Sequence, residues 1–327
     1  MAELSSTSVK LVEVCSVAPQ PQPDVAEFYL PLTFFDLLWL RFPHFHRLSF
    51  YEILASSASA DTKPFFDSLL FQKLKASLSV TLQHFLPLAG NITWPQDSHK
   101  PVLSYVQGGA VSLTTAHSDA DFHRLSSNDF NIEAKEYHPL VPQLAISREK
   151  AAVMAFQITL FPNSSGFSIG ISMHHAALDG KTLFMFQKSW AHLCKHEPDT
   201  LLSDQLKPFY DRRVFIQDPA GLELEAIYLN QVFTTAGSHQ FKMYDTDFGW
   251  GRPKSTEVVP IGRRGAITFS DGKNGGGAVD IGLVLQKHHM EVFASLFPKK
   301  AENNLPASAP PASVPEASAP TSTSTPE

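Results

Sequence analysis

Cysteine is nearly absent from the 327-residue chain: Cys15 and Cys194 are the two present, far apart and without partner spacing. A disulfide framework is therefore not expected, and a reducing compartment is consistent with the sequence. Positive charge is not in surplus either. Lys and Arg number 26 against 32 Asp and Glu, a net charge of -6, which leaves no footprint for nucleic acid or an anionic membrane surface. No apolar run approaches the length of a membrane span, and Met1 to Lys10 lack the apolar centre of a signal peptide. A cytoplasmic protein with no nucleic-acid or membrane partner is the expectation. Metal-ligand spacing is missing too. Neither His174 nor His175 forms a recognised pattern with Asp179, and His192 and His196 lack a carboxylate or further thiolate to complete a site. His44, His46, His84, His117, His123 and His138 are scattered and read as surface or packing residues. No bound metal is expected.

What the chain has is apolar bulk. With 43% hydrophobic residues and 25 Phe it can bury one large core or two ordinary ones. Strands are expected at Val9–Val17, Arg47–Glu52, Val153–Phe161 and Gly166–Met173, where Val, Ile and aromatic residues run between turn clusters. Val102–Val106 and Ala110–Thr115 flank Gly108-Gly109 and read as a hairpin. Phe66, Leu69, Leu70, Leu74, Leu78 and Leu82 recur at helical spacing, predicting an amphipathic helix over Pro64–Phe85. Further strands are expected at Phe241–Tyr244, Glu257–Ile261, Gly265–Phe269 and Val279–Leu285, and a last helix at Lys287–Phe297. Residues 298–327 are rich in Ala, Pro, Ser and Thr and are expected to be a disordered tail.

The stretch that organises the rest is Met173-His174-His175-Ala176-Ala177-Leu178-Asp179-Gly180. It follows the Gly166–Met173 strand, and after it Leu183, Phe186, Trp190 and Leu193 recur as on a helix. The histidine pair therefore lies on a strand-to-helix turn, fixed by its flanks and reachable from a cleft. Residue type alone leaves two readings open. An imidazole can act as a general base toward a hydroxyl attacking a carbonyl, or serve as a satisfied structural histidine.

His175 to Gly180 resembles the HxxxDG motif of the plant BAHD acyltransferases, and Asp247-Phe248-Gly249-Trp250-Gly251 resembles their DFGWG motif. Leu30-Pro31-Leu32-Thr33-Phe34-Phe35-Asp36, Phe85-Leu86-Pro87-Leu88-Ala89-Gly90 and Gly251-Arg252-Pro253-Lys254 are most similar to the anthocyanin and flavonoid-glucoside malonyltransferase branch. The resemblance spans roughly residues 8 to 297. It implies an α/β, chloramphenicol-acetyltransferase-like two-domain fold and an acyltransferase for groups other than aminoacyl. Acyl-CoA, with malonyl-CoA as the donor of the resembling branch, is the implied co-substrate, with a phenolic glycoside as acceptor and no cofactor bound. It also implies His175 as general base, and Asp179 and Gly180 as structural residues of the turn. Asp247, Phe248, Gly249, Trp250 and Gly251 are implied as a structural motif remote from the chemistry, in a family whose members are usually monomeric.

One part of the pattern is broken. No YFGNC-like segment exists, and Tyr228-Leu229-Asn230-Gln231 runs within a few residues into Ala236-Gly237-Ser238-His239-Gln240-Phe241, which resembles text just before DFGWG. An internal deletion with its junction between Gln231 and Ala236 is the simplest reading. The expected organisation is an N-terminal domain at 1–196, a crossover at 197–235, a truncated second-domain remnant at 236–297 and the tail. The arginine that pairs with the motif aspartate in the family falls in the missing part, so Asp179 is expected to lack it. Beside an active transferase stand two alternatives: a catalytically inactive truncated member kept for interactions, and a small-molecule binding module without turnover.

Overall fold

A computed structural model describes residues 8–21, 27–53, 69–127, 132–164, 166–196, 201–210, 235–238, 240–259, 266–273 and 278–296. The expected helix start at 64–68, most of the crossover and deletion junction, and the tail lie outside these residues. Two compact units are present, Met1–Leu285 and Gln286–Glu327. In chain order the first holds β1 (Val9–Val17), β2 (Phe28–Pro31), β3 (Phe45–Glu52), helix α1 (Phe71–His84), β4 (Asn91–Thr93), β5 (Val102–Tyr105) and β6 (Val111–Ser118). These are followed by β7 (Lys150–Ala152), β8 (Met154–Phe161), β9 (Gly166–Met173), helix α2 (Gly180–Lys195), β10 (Thr235–Ser238), β11 (Ser255–Val258), β12 (Ala266–Asp271) and β13 (Val279–Val284). The second unit contributes α3 (Lys287–Leu296).

The six-stranded sheet has the order β1-β6-β8-β9-β3-β11, antiparallel except for the parallel β6–β8 pair. All eight residues of β8 and all eight of β9 are buried, because these central strands are covered on both faces. On one face lie α1 and α2, locked where the Trp190 indole N–H reaches the Leu74 carbonyl and Ser77 Oγ, both at 3.1 Å. On the other a smaller cluster gathers Leu48, Phe50, Phe122, Leu125, Leu140, Val141, Phe161 and Val259. Period-two alternation along β3 divides its side chains: Leu48 and Phe50 enter the small cluster, Tyr51 the large one.

Two expectations are corrected. β5 and β6 are not a hairpin: β5 pairs with β2 and β4 in a four-stranded sheet, while β6 pairs with β1 and β8. Gly108, at φ +85°, does make a turn, but the chain uses it to change sheets, since alternation marks a strand without choosing its partner. Phe241–Tyr244 is not a strand either. Met243–Asp245 forms a 3-10 turn entered through Lys242 at φ 49°. β11, from the segment assigned by sequence to the second-domain remnant, is an edge strand of the six-stranded sheet.

Candidate active site

The histidine turn sits where β9 ends and α2 begins. His174 N–H donates to the Val153 carbonyl at 2.9 Å and Ala177 N–H to the His174 carbonyl at 2.9 Å, which closes the turn. Asp179 is the N-cap of α2: its Oδ1 accepts from the Thr182 N–H at 2.8 Å. Its carboxylate is exposed at the positive end of the helix, and among the described residues it forms no ion pair. Gly180 is where Phe241 closes in. A Cβ there would lie 2.9 Å from the Phe241 ring, which stacks on Phe184 at 4.8 Å.

The two histidines point to different surroundings. His175 is half-buried, stacked face to face on Trp39 with ring centroids 4.0 Å apart and planes at 12°, and meets Phe45 at 6.3 Å and 86°. His174 is buried, and its Nδ1 accepts from the Ala176 N–H at 3.3 Å. That bond leaves the neutral proton on Nε2. Burial, with the nearby His44 and His175 adding, pushes the His174 imidazole down to about 4.

His44 and His46, which the sequence left among scattered packing residues, reach the turn through strand register. β3 runs antiparallel to β9 with Phe45 opposite Met173 and His46 opposite Ser172, so His44 falls beside His174 at 5.5 Å between ring centroids. Ser172 Oγ donates to the Pro142 carbonyl, so its bond with His46 Nδ1 at 2.6 Å must be donated by the histidine. Burial, then His44 and His138, pushes His46 down to about 4, and burial also lowers His44. The His-x-His spacing of His44 and His46 at a strand start was the available signal, but the partner strand was not readable. Among the described residues no group of three or more His, Cys, Asp or Glu is arranged to hold a metal ion.

The second motif lies at the other end of α2. Asp247 Oδ1 accepts from the Gly249 and Gly251 N–H groups at 2.8 and 2.9 Å, and Oδ2 meets Lys195 Nζ at 2.5 Å. Burial opposes the charge on Asp247, but Lys195 and the two N–H groups outweigh it and hold the carboxyl below its ordinary value. Both glycines are left-handed, at φ +106° and +110°, where a side chain is strained. Phe248 is buried edge-on against Trp190 at 4.9 Å and Tyr51 at 5.6 Å, and Trp250 meets Phe167 at 6.2 Å. Sixteen helical residues separate this motif from the histidine turn, about 24 Å along the axis.

The family model described as the Transferase family matches residues 30–234 and 225–299, two stretches that together take in both motifs. The chain belongs to this family, the BAHD acyltransferases. Among its BAHD relatives, Phenolic glucoside malonyltransferase 1 of Arabidopsis thaliana is 43% identical over 225 residues, 69% of this chain and 46% of that one. Malonyl-CoA:anthocyanidin 5-O-glucoside-6''-O-malonyltransferase of the same plant is 43% identical over 224 residues, 68% of this chain and 46% of the relative. The chain spans about half the length of the curated relatives it matches. In fold it is similar to the crystal structure of vinorine synthase, with TM-score 0.65 at 16% identity over 87% of this chain and 96% of that one. F. sporotrichioides TRI101, solved with coenzyme A and T-2, matches with TM-score 0.52 at 11% identity over 82% of this chain and 97% of that one. The α/β fold implied by the motifs is therefore the fold of the chain. Among the described residues no helix is long and apolar enough to cross a membrane.

Proposed function

We propose that the chain is a cytoplasmic, monomeric, acyl-CoA-dependent O-acyltransferase that moves a malonyl or other short acyl group to a hydroxyl of a phenolic or flavonoid glucoside. The observation that carries this is His175: an imidazole on a hydrogen-bonded turn, half-buried and packed against Trp39 and Phe45. In this reading His175 takes the acceptor hydroxyl's proton as the oxygen attacks the thioester carbonyl. The tetrahedral adduct then collapses, the C–S bond breaks, and the imidazolium returns the proton to the departing CoA sulfur. No acyl-enzyme forms. Asp179 and Gly180 hold the turn, and Asp247, Phe248, Gly249, Trp250 and Gly251 act only on structure. The chain is read as an N-terminal domain at 1–196 followed by a remnant of the second at 236–297. The two stretches matched by the family model meet close to the inferred junction, at 225–234, which supports an internal deletion.

A second reading, an inactive truncated member that acts through exposed surfaces, is favoured by β13, where Val279 and Ile281 are 44% and 65% exposed. Single-turnover transfer from malonyl-CoA to a flavonoid glucoside, with His175→Ala beside it, separates the two. Turnover that depends on His175 supports the transferase. Silence from well-folded chain across several acyl-CoAs supports the inactive relative, and undiminished turnover in His175→Ala sinks the general-base assignment.

A further inference from the structure

We infer that Trp39 is a positioning residue for His175, holding the plane of its imidazole and stabilising the imidazolium that forms when the acceptor's proton is taken. The inference rests on the general-base reading of His175 and adds to it a residue from a distant part of the chain.

The geometry is specific. A centroid separation of 4.0 Å with planes at 12° is a face-to-face stack, so the indole covers one whole face of the imidazole. Phe45 stands against it at 86°, 6.3 Å away. A ring held between a parallel face and a perpendicular ring cannot tilt about its χ2 axis without losing one contact or the other, so the plane in which it is offered to a substrate is set before binding.

Trp39 is itself held by a built segment. Thr33 and Asp36 cap each other: Asp36 Oδ2 accepts from the Thr33 N–H at 2.8 Å, and Thr33 Oγ1 accepts from the Asp36 N–H at 3.4 Å. The Trp39 N–H donates to the Asp36 carbonyl at 3.0 Å, its own carbonyl accepts from the Phe42 N–H at 3.1 Å, and the Phe42 ring lies 5.0 Å from the indole.

The chemistry follows from the indole's negative π face, which attracts a cation above it more than a neutral ring. His174, buried and held neutral, and His44 behind it at 5.5 Å bring no negative charge to an imidazolium on His175. The indole face is the group stacked on His175 that favours the charged form made only during reaction.

The test uses the full chain labelled at histidine and followed by NMR through a pH titration, with His175→Asn to assign the His175 signal. The indole ring current should displace the His175 Cε1 proton upfield of the exposed histidines. Trp39→Leu should return it to their range and lower its titration midpoint, while Trp39→Phe keeps part of both effects. An unchanged His175 signal and midpoint in Trp39→Leu overturns the inference. Should Trp39→Leu fail to fold, the wild type decides: no upfield displacement and no indole–imidazole NOE also overturns it. Turnover adds a separate arm. Trp39→Leu should lower kcat at neutral pH several-fold and move its acid limb to lower pH, with KM for malonyl-CoA little changed. A wild type that shows the stack but no turnover defeats the transferase reading and the catalytic half of this inference together. An active wild type whose rate and pH profile survive Trp39→Leu defeats this inference alone.

Discussion

The two ends of α2 are held by opposite strategies. At the C-terminal end, Asp247 to Gly251 satisfies its own backbone: one carboxylate ties two glycine N–H groups and Lys195, while Phe248 fills the core against Trp190. At the N-terminal end the turn is capped by Asp179, but its histidine is held by rings from far away, Trp39 and Phe45, with His44 and His46 packed behind. A motif that closes its own hydrogen bonds serves as an anchor. One that leaves an imidazole half-buried and backed by aromatic faces is what the proposed general-base role of His175 requires.

If the ends divide the labour in this way, mutations should separate activity from stability. His175→Ala should lower turnover by about 10²- to 10⁴-fold and leave urea unfolding within about 1 kcal/mol of wild type. Comparable losses in both would erase the distinction. Phe248→Ala should do the reverse, lowering stability by about 3–5 kcal/mol through a core cavity, with kcat per folded molecule changed no more than a few-fold. Unfolding midpoints and active-site-normalised rates measure both.

Acid should act on the two ends in different windows. His174 and His46 are pushed down to about 4 from an ordinary 6.5, so the unfolded chain binds more protons between those values. Stability from keeping these rings neutral is full above pH 6.5 and falls as the pH drops toward 4, by on the order of 3 kcal/mol for His174 alone. Asp247, lowered from 3.8 by its partners, keeps its contribution above that value and loses it only below. Urea unfolding at pH 7.5, 5 and 3.5 should show a first loss that His174→Gln flattens; a profile unchanged by His174→Gln would contradict the buried neutral imidazole. The smallest effect is expected at Asp247. Asp247→Ala should cost about 1–2 kcal/mol, since the side chain is 24% exposed and water replaces part of what is lost, and Asp247→Asn less, because its amide oxygen still accepts from the glycines. A loss as large as that of Phe248→Ala would make the carboxylate, rather than the buried ring, the main anchor.

Local pattern was enough to find the turn, its strand and its helix. Gly166–Met173 is continuous and small or apolar, and Leu183, Phe186, Trp190 and Leu193 repeat at helical spacing, so both elements announce themselves within a few residues. The order of the motifs was equally legible, since it is a property of the chain. Alternation could not say which strand lies beside which: Gly108-Gly109 looked like a hairpin and is a change of sheet. The surroundings of His175 were hidden for the same reason. Trp39 and His175 are brought together by the pairing of β3 with β9 in one register, and a slip of one residue would turn His46 away from Ser172. Sequence by itself placed His175 on a turn between a strand and a helix, because that placement depends on short-range periodicity and residue type. Which rings stack on that side chain, which imidazoles are buried behind it and which lysine holds the second motif were decided by tertiary structure, because each depends on contacts between segments distant in the chain.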